Sequence, residues 1–136
     1  LALASDMVTV TGTVPDVRPY LQHAAVVVAP MRLARGVQNK ILEAMAMARP
    51  VVAAAECVSA LDAQTCRDLV AAADVDAYVV AIDRLLGDAT QATALGVRGR
   101  ASVVARYSWD AHLAALDAYL PTAAAPQAAR LIEVPA

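Results

Sequence analysis

One stretch of the chain carries most of the residues that could bind a charged ligand. This motif segment, residues 35–52, reads Arg-Gly-Val-Gln-Asn-Lys-Ile-Leu-Glu-Ala-Met-Ala-Met-Ala-Arg-Pro-Val-Val. On a helix that starts at Gly36, the residues Gly36, Lys40 and Glu43 stand at i, i+4 and i+7 and share one polar face. A helix start presents free N–H groups and a positive dipole end, so this face is suited to phosphate.

Each of these three residues suits a phosphate-containing ligand. Gly36 has no side chain to block a close approach. Glu43 lies about 10 Å further along the helix, which is roughly the distance from a diphosphate to the hydroxyls of its ribose. A carboxylate can accept hydrogen bonds from two neighbouring hydroxyls. Lys40, the only lysine of the chain, adds positive charge between them. The spacing also fits an exposed ion pair between Lys40 and Glu43, and spacing alone favours that interpretation slightly over a ligand site.

Apolar runs and turn residues predict the elements that position the motif segment. Turn residues at Pro15 and Asp16 follow the first predicted strand, and Asp16 is expected to cap a short helix. Val37, Ile41, Met45 and Ala48 should form the sheet-facing side of the motif helix. In chain order the prediction is a strand that starts at Met7 and ends near Gly12, a helix to about His23, a strand at 25–29, a helix from Gly36 to before Pro50, and a strand at 50–54.

The second half of the chain is predicted to be mostly helical. A short edge strand is expected at 65–70, and Ser108 is expected to cap the last helix, in which Trp109 would be a core anchor. Helices are predicted at 75–86, 90–107 and 109–120, followed by a loose tail at 121–136. Alternating strands and helices are typical of an α/β fold, here a partial Rossmann-like domain with a parallel sheet and a helical C-terminal region.

Composition excludes several partners. A net charge of −2 and a pI near 5.5 provide no dense basic surface for nucleic acid. Charged residues interrupt every long apolar run, so no membrane-spanning segment is predicted. The two cysteines have no metal-ligand spacing, and His23 and His112 are isolated, so no metal site is predicted. The near absence of disulfide potential favours a cytoplasmic protein.

The motif segment resembles the signature of retaining, nucleotide-sugar-dependent glycosyltransferases of GT-B architecture. In that family a glutamate, seven residues, a second glutamate, Ala-Met-Ala, a glycine and Pro-Val-Val follow one another. The resemblance places Glu43 at the second glutamate, which binds the donor ribose. It extends over residues 7–120 and includes Val8–Val14, Val26–Pro30 and Tyr107-Ser-Trp109.

Three departures from the family pattern fall in the motif segment. Arg35 stands where the family has its first glutamate, which contacts the donor sugar. Gln38-Asn39-Lys40 replaces the usual glycine and apolar residues, and Ala48 replaces the glycine before Arg49-Pro50. The Gln-Asn-Lys sequence resembles a subgroup of sugar transferases associated with exopolysaccharide and protein-sorting clusters.

The resemblance implies the C-terminal, donor-binding domain, residues 1–120, of a hexosyltransferase that acts on a nucleoside-diphosphate sugar without a cofactor or metal. The implied substrate-binding residues are Arg35, Gly36, Val37, Gln38, Asn39, Lys40 and Glu43. The sequence lacks an initiator methionine and a counterpart of the N-terminal acceptor domain, so we expect a piece that is inactive alone. The whole enzyme is expected in the cytoplasm, with peripheral attachment to the inner membrane.

A second function class also fits the sequence. Replacement of the first glutamate by Arg35 is what degeneration into a non-catalytic α/β binding or interaction domain would look like. A flavodoxin-like response regulator fits the strand and helix pattern, but the chain lacks an acidic cluster at the strand ends. In either case, missing strands would leave an open sheet edge, and a homodimer through that edge is expected.

Overall fold

The computed structural model describes residues 3–31, 36–61 and 67–117, and these form an α/β fold. The strands are β1, Val27–Ala29, β2, Val51–Ala54, and β3, Val70–Ala72. They form a parallel sheet in the order β1-β2-β3, with Val28 beside Val52 and Val52 beside Val70. The predicted fold class is confirmed.

Helices connect and cover the strands. The helices are α1 Arg18–His23, α2 Asn39–Ala46, α3 Ala55–Val58, α4 Val75–Gly87, α5 Ala89–Tyr107 and α6 Trp109–Asp117. The crossover from β1 to β2 contains α2 and the crossover from β2 to β3 contains the short α3, while α4 to α6 follow the sheet.

The core lies on both faces of the sheet. All four residues of β2 are buried. Val51 packs with Ile41 and Met45 of α2 on one face, while Val52 packs with Leu85 of α4 and apolar residues of α5 on the other. Burial on both faces explains why the central strand, β2, is uniformly apolar rather than alternating.

The strand predicted from Met7 to near Gly12 does not form. Apart from an isolated bridge between Ser5 and Val8, these residues have no regular structure and are mostly exposed. Their β-branched side chains favour an extended backbone, but a strand is stable only with a hydrogen-bonded neighbour. The described residues provide no such neighbour for this segment.

The motif helix is shorter than predicted at both ends. It begins at Asn39, with Gln38 as N-cap, so Gly36 and Val37 precede it. Val37 is 45% exposed and does not join the sheet-facing stripe, whereas Ile41 and Met45 are buried as predicted. Ala48 also lies outside the helix, with a left-handed backbone at φ 54°.

The helices of the C-terminal half agree with the prediction, but the predicted burial of Trp109 does not. The Ser108 hydroxyl accepts the Ala111 N–H at 3.2 Å and caps α6 as expected. Trp109 is 80% exposed, so its predicted role as a core anchor is wrong. The reason is that α6 packs mainly on α5, and no described element covers the ring.

Two further predictions have a partial outcome. The strand predicted at 65–70 is present as β3, shifted to Val70–Ala72. Residues 118–136, which include the predicted tail, lie outside the described residues.

Candidate functional site

The loop before α2 holds Gly36 in a conformation that favours glycine. Its φ is +67°, and a Cβ added there would meet no heavy atom within 4 Å. The Gln38 side-chain amide donates to the Gly36 carbonyl at 3.2 Å, which ties the loop to the helix start. Gly36 therefore combines a left-handed backbone with open space above it.

The start of α2 is not closed by a side chain. Its N-cap, Gln38, makes no side-chain capping bond, and its first turn contains no acidic residue. The backbone N–H groups of Asn39 and Lys40 have no intrahelical acceptor, because the first N–H groups of any helix lack one. This start follows the carboxyl end of β1, where ligands of open α/β sheets bind.

Glu43 lies beside a cleft between α2 and the entry to α1. The cleft has a volume of about 410 Å³ and is lined by Pro15, Asp16, Val17, Arg18, Leu21, Glu43, Ala46 and Met47. We call it the Glu43 cleft. Counted from Asn39 instead of Gly36, Glu43 is about 6 Å along the helix axis, so it is closer to the helix start than the sequence predicted.

Two oppositely charged residues of the Glu43 cleft, Asp16 and Arg18, pair with each other. Arg18 donates from Nε to both Asp16 oxygens at 3.0 and 3.1 Å, and Nη2 lies 2.9 Å from Oδ2. Asp16 also accepts the Arg18 backbone N–H at 2.9 Å, so it supports the start of α1 although Val17 is the N-cap. The hydrogen bonds from Arg18 lower the pKa of Asp16.

Lys40 and Glu43 do not pair with each other. Both are exposed, and across the described ranges no ion pair joins them. The alternative that their spacing reflects a mutual salt bridge is therefore wrong. Arg18 is already bound to Asp16. Among the described residues, therefore, no opposite charge pairs with the Glu43 carboxylate in its cleft or with the Lys40 ammonium in the first turn.

A second hollow lies at the carboxyl ends of all three strands. This sheet-end crevice, about 560 Å³, is lined by Pro30, Met31, Ala54, Glu56, Ala72, Ala73, Asp74, Val75 and Tyr78. The Tyr78 hydroxyl donates to the carbonyl of Ala29, the last residue of β1, at 3.2 Å. Burial raises the pKa of the Tyr78 hydroxyl and that of the nearby Cys57 thiol.

The structure brings most predicted site residues together. The loop before α2 holds Gly36, Val37 and Gln38, and α2 itself holds Asn39, Lys40 and Glu43. Arg35 is outside the described residues. Sequence reasoning missed Arg18 and Tyr78 as neighbours of the site. The spacing of Asp16 and Arg18 was visible, but their position against α2 depends on tertiary packing.

The described residues form neither a metal-binding cluster nor a membrane-spanning helix. No cluster of three or more His, Cys, Asp or Glu side chains is arranged to hold a metal ion there. Within the same residues, no helix combines the length and apolar character needed to cross a bilayer.

Comparison with known proteins gives one match. No curated protein and no solved structure matches the chain. The sequence profile of the family described as "Glycosyl transferases group 1" matches residues 1–88. Those 88 of 136 residues include β1 to β3, the Glu43 cleft and the uncapped start of α2. The chain therefore belongs to the group 1 glycosyl transferases.

Proposed function

We propose that this chain binds the nucleoside-diphosphate sugar from which its enzyme transfers a hexose with retention of configuration. The observation that carries the proposal is the carboxylate of Glu43, which no ion pair compensates among the described residues and which lines a cleft about 6 Å along α2 from its uncapped start. A carboxylate of this kind accepts hydrogen bonds from vicinal hydroxyls such as those of ribose. A helix start accepts the diphosphate.

In this proposal, different described residues contact different parts of the donor. The N–H groups of Asn39 and Lys40 and the Lys40 ammonium face the diphosphate, and Gly36 leaves room for it. Glu43 holds the ribose, so the base enters the Glu43 cleft, where Leu21 and Met47 provide apolar surface. The sheet-end crevice, at the carboxyl ends of the strands, receives the sugar.

This arrangement supports departure of the diphosphate. When the bond between sugar and diphosphate breaks, negative charge develops on the leaving oxygens. In the proposed complex the positive end of α2 and the Lys40 ammonium lie beside that charge, and preorganised groups of this kind stabilise a transition state more than they stabilise the substrate. With Arg35 in place of the family's first glutamate, hydroxyl contacts to the sugar come from other groups.

Calorimetric titration of UDP, GDP and ADP tests the proposal. One nucleotide should bind the chain, and Glu43→Gln should weaken that binding by about 1.5–3 kcal/mol, the range for hydrogen bonds to a charged group. Glutamine keeps the shape and volume of the side chain, so a loss of affinity reports the charge.

The matched control is Asp110→Asn, which neutralises an exposed carboxylate in the first turn of α6, away from the Glu43 cleft. It should leave nucleotide affinity unchanged. If the chain binds none of the three nucleotides, or if both variants bind as tightly as the parent chain, the donor-site proposal fails. The non-catalytic interaction domain then becomes the better interpretation.

A further inference from the structure

A hollow of about 490 Å³ lies at the amino ends of β1 and β2. Ala25 and Pro50, which stand shortly before β1 and β2, line it from the sheet, and residues of α4 and α5 line it from the helices. It therefore lies at the opposite end of the parallel sheet from the sheet-end crevice. We call it the Arg49 hollow, after the one charged residue among the described residues that line it.

The guanidinium of Arg49 has no partner for its charge in the part of the chain that the structure describes. Its Nε is buried and makes no hydrogen bond there, and no ion pair among those residues includes Arg49. A buried donor without a partner is costly, and a charged one more so, which is why most such groups in folded proteins are hydrogen-bonded. An anion bound in the hollow would supply that partner.

The backbone on either side of Arg49 is held by packing. The Arg49 N–H donates to the Ala44 carbonyl at 3.1 Å at the end of α2. Gly96 of α5 lies so close that a Cβ there would stand 3.2 Å from the Arg49 carbonyl carbon. Pro50 follows directly, and its ring fixes the next φ. The backbone that carries the cation is therefore in place before a ligand arrives, which reduces the ordering that binding requires.

The lining favours a carboxylate that is attached to an apolar body. A guanidinium donates in a planar fork that matches carboxylate geometry. Beside it, Leu86 and Val97 are 59% and 57% exposed, and the other side chains of the lining are apolar except for Thr93. One cation balances one negative charge, whereas a doubly charged phosphate would leave an excess charge against apolar surface. The volume is within the range of small-molecule sites.

We propose that the Arg49 hollow binds a small organic monocarboxylate. The carboxylate pairs with the Arg49 guanidinium and accepts a hydrogen bond from the Thr93 hydroxyl, while the apolar body covers Leu86 and Val97. Burial of these two side chains adds to the affinity without a further charge. The proposal does not depend on nucleotide binding, because the hollow shares no lining residue with the Glu43 cleft or the sheet-end crevice.

Titration of hexanoate into the isotope-labelled chain, followed by amide NMR, tests the proposal. The amide signals of Arg49, Thr93 and Val97 should shift and saturate. Hexanol has the same apolar body without the charge, and inorganic phosphate has charge without the body. Each should bind more weakly by about tenfold or more. Equal binding of hexanol would show that Arg49 pairs with no carboxylate, and tighter binding of phosphate would show the wrong class of anion; either result overturns the proposal.

Neutralising Arg49 tests the charge. Arg49→Gln should weaken hexanoate binding about tenfold, since it removes the charged donor. Arg84→Gln is the control, because it neutralises an exposed arginine of α4 that does not line the hollow. It should leave hexanoate affinity unchanged. Unaltered binding by Arg49→Gln would overturn the proposal.

A substitution at Val97 tests the site without removing Arg49. Val97→Glu supplies a carboxylate to the hollow from the chain itself and should abolish hexanoate binding. Val104→Glu is the matched control: it makes the same change on α5, at a residue that is 53% exposed, about two turns away and outside the hollow. Circular dichroism checks that each variant keeps its helices. The absence of saturable shifts in the parent chain, or equal effects of the two glutamate variants, would overturn the proposal.

Discussion

Gly96 of α5 lies directly against Ala48, the residue that follows the end of α2. A Cβ at position 96 would stand 2.7 Å from the Ala48 carbonyl carbon and closer still to its oxygen. One turn further along α5, a Cβ at Gly99 would stand 2.8 Å from the Asp68 carbonyl oxygen. These glycines allow α5 to approach the backbone that ends the motif helix, so the far end of the candidate site rests on α5.

Gly96→Ala should lower the free energy of unfolding. The methyl group would meet backbone rather than a movable side chain, and overpacking of this kind costs about 1–3 kcal/mol. The higher helix propensity of alanine, worth about 1 kcal/mol, offsets part of that loss. Urea denaturation measures the difference. Gly87→Ala is the control, because open space surrounds Gly87; if both variants were equally stable, α5 would not be held against Ala48.

Ala48→Gly should stabilise the chain. Ala48 has φ 54° and is the left-handed residue of a Schellman motif, in which Arg49 N–H donates to Ala44 O at 3.1 Å and Ala48 N–H to Met45 O at 2.9 Å. The left-handed backbone costs alanine about 1–2 kcal/mol, and the greater freedom of glycine in the unfolded chain removes about 0.4–1 kcal/mol of that gain.

Thermal and urea unfolding check this prediction, with a net gain of about 0.5–1 kcal/mol expected. Ala101→Gly is the matched control, since Ala101 is an exposed alanine inside α5. There glycine should cost about 1 kcal/mol. Opposite signs for the two substitutions are required, and destabilisation by both would contradict the backbone argument.

The spacing of residues along the sequence predicted the features of the site that lie within α2 itself. The helical spacing of Ile41 and Met45 identified the buried side of α2, and Glu43 on the other side followed from the same geometry. The helix start was misplaced because Gln38 is not a strong capping residue and makes no capping bond, so the sequence carried no sharp boundary signal.

Features that depend on distant packing were not predictable from local pattern. The alternating residues around Val10 favour a strand, but strand formation depends on a partner that pattern does not identify. The exposure of Trp109 depends on which elements cover α6. The close approach of Gly96 to Ala48 likewise required the relative position of α2 and α5, which spacing within either helix leaves undetermined.

Tyr78→Phe should weaken the link between α4 and the end of β1. The substitution removes only the hydroxyl that donates to the Ala29 carbonyl at 3.2 Å, and loss of such a bond costs about 0.5–1.5 kcal/mol. Chemical denaturation measures that loss. Tyr20→Phe is the control, because Tyr20 is 53% exposed and should tolerate the change. Equal stability of Tyr78→Phe and the parent chain would show that the bond contributes nothing.

Arg18→Gln should raise the pKa of Asp16 toward its ordinary value of 3.8, because the hydrogen bonds from Arg18 are the main cause of its lowering. A carboxyl whose pKa is lower in the folded state stabilises the fold above the unfolded-state pKa. That contribution disappears as pH falls through the folded-state pKa. The pair is exposed, with side chains 75% and 42% accessible, so the effect on stability should be small and the titration itself is the sensitive measurement.

Carbon-13 NMR of the Asp16 carboxyl follows this titration in the parent chain and in two variants. Arg84→Gln is the control, because it removes an exposed arginine on α4 that does not contact Asp16. Only Arg18→Gln should move the midpoint upward. An unchanged midpoint would mean that Arg18 does not hold Asp16 in solution; Arg18 would then be free to compensate Glu43, and the negative charge assigned to the Glu43 cleft would be wrong.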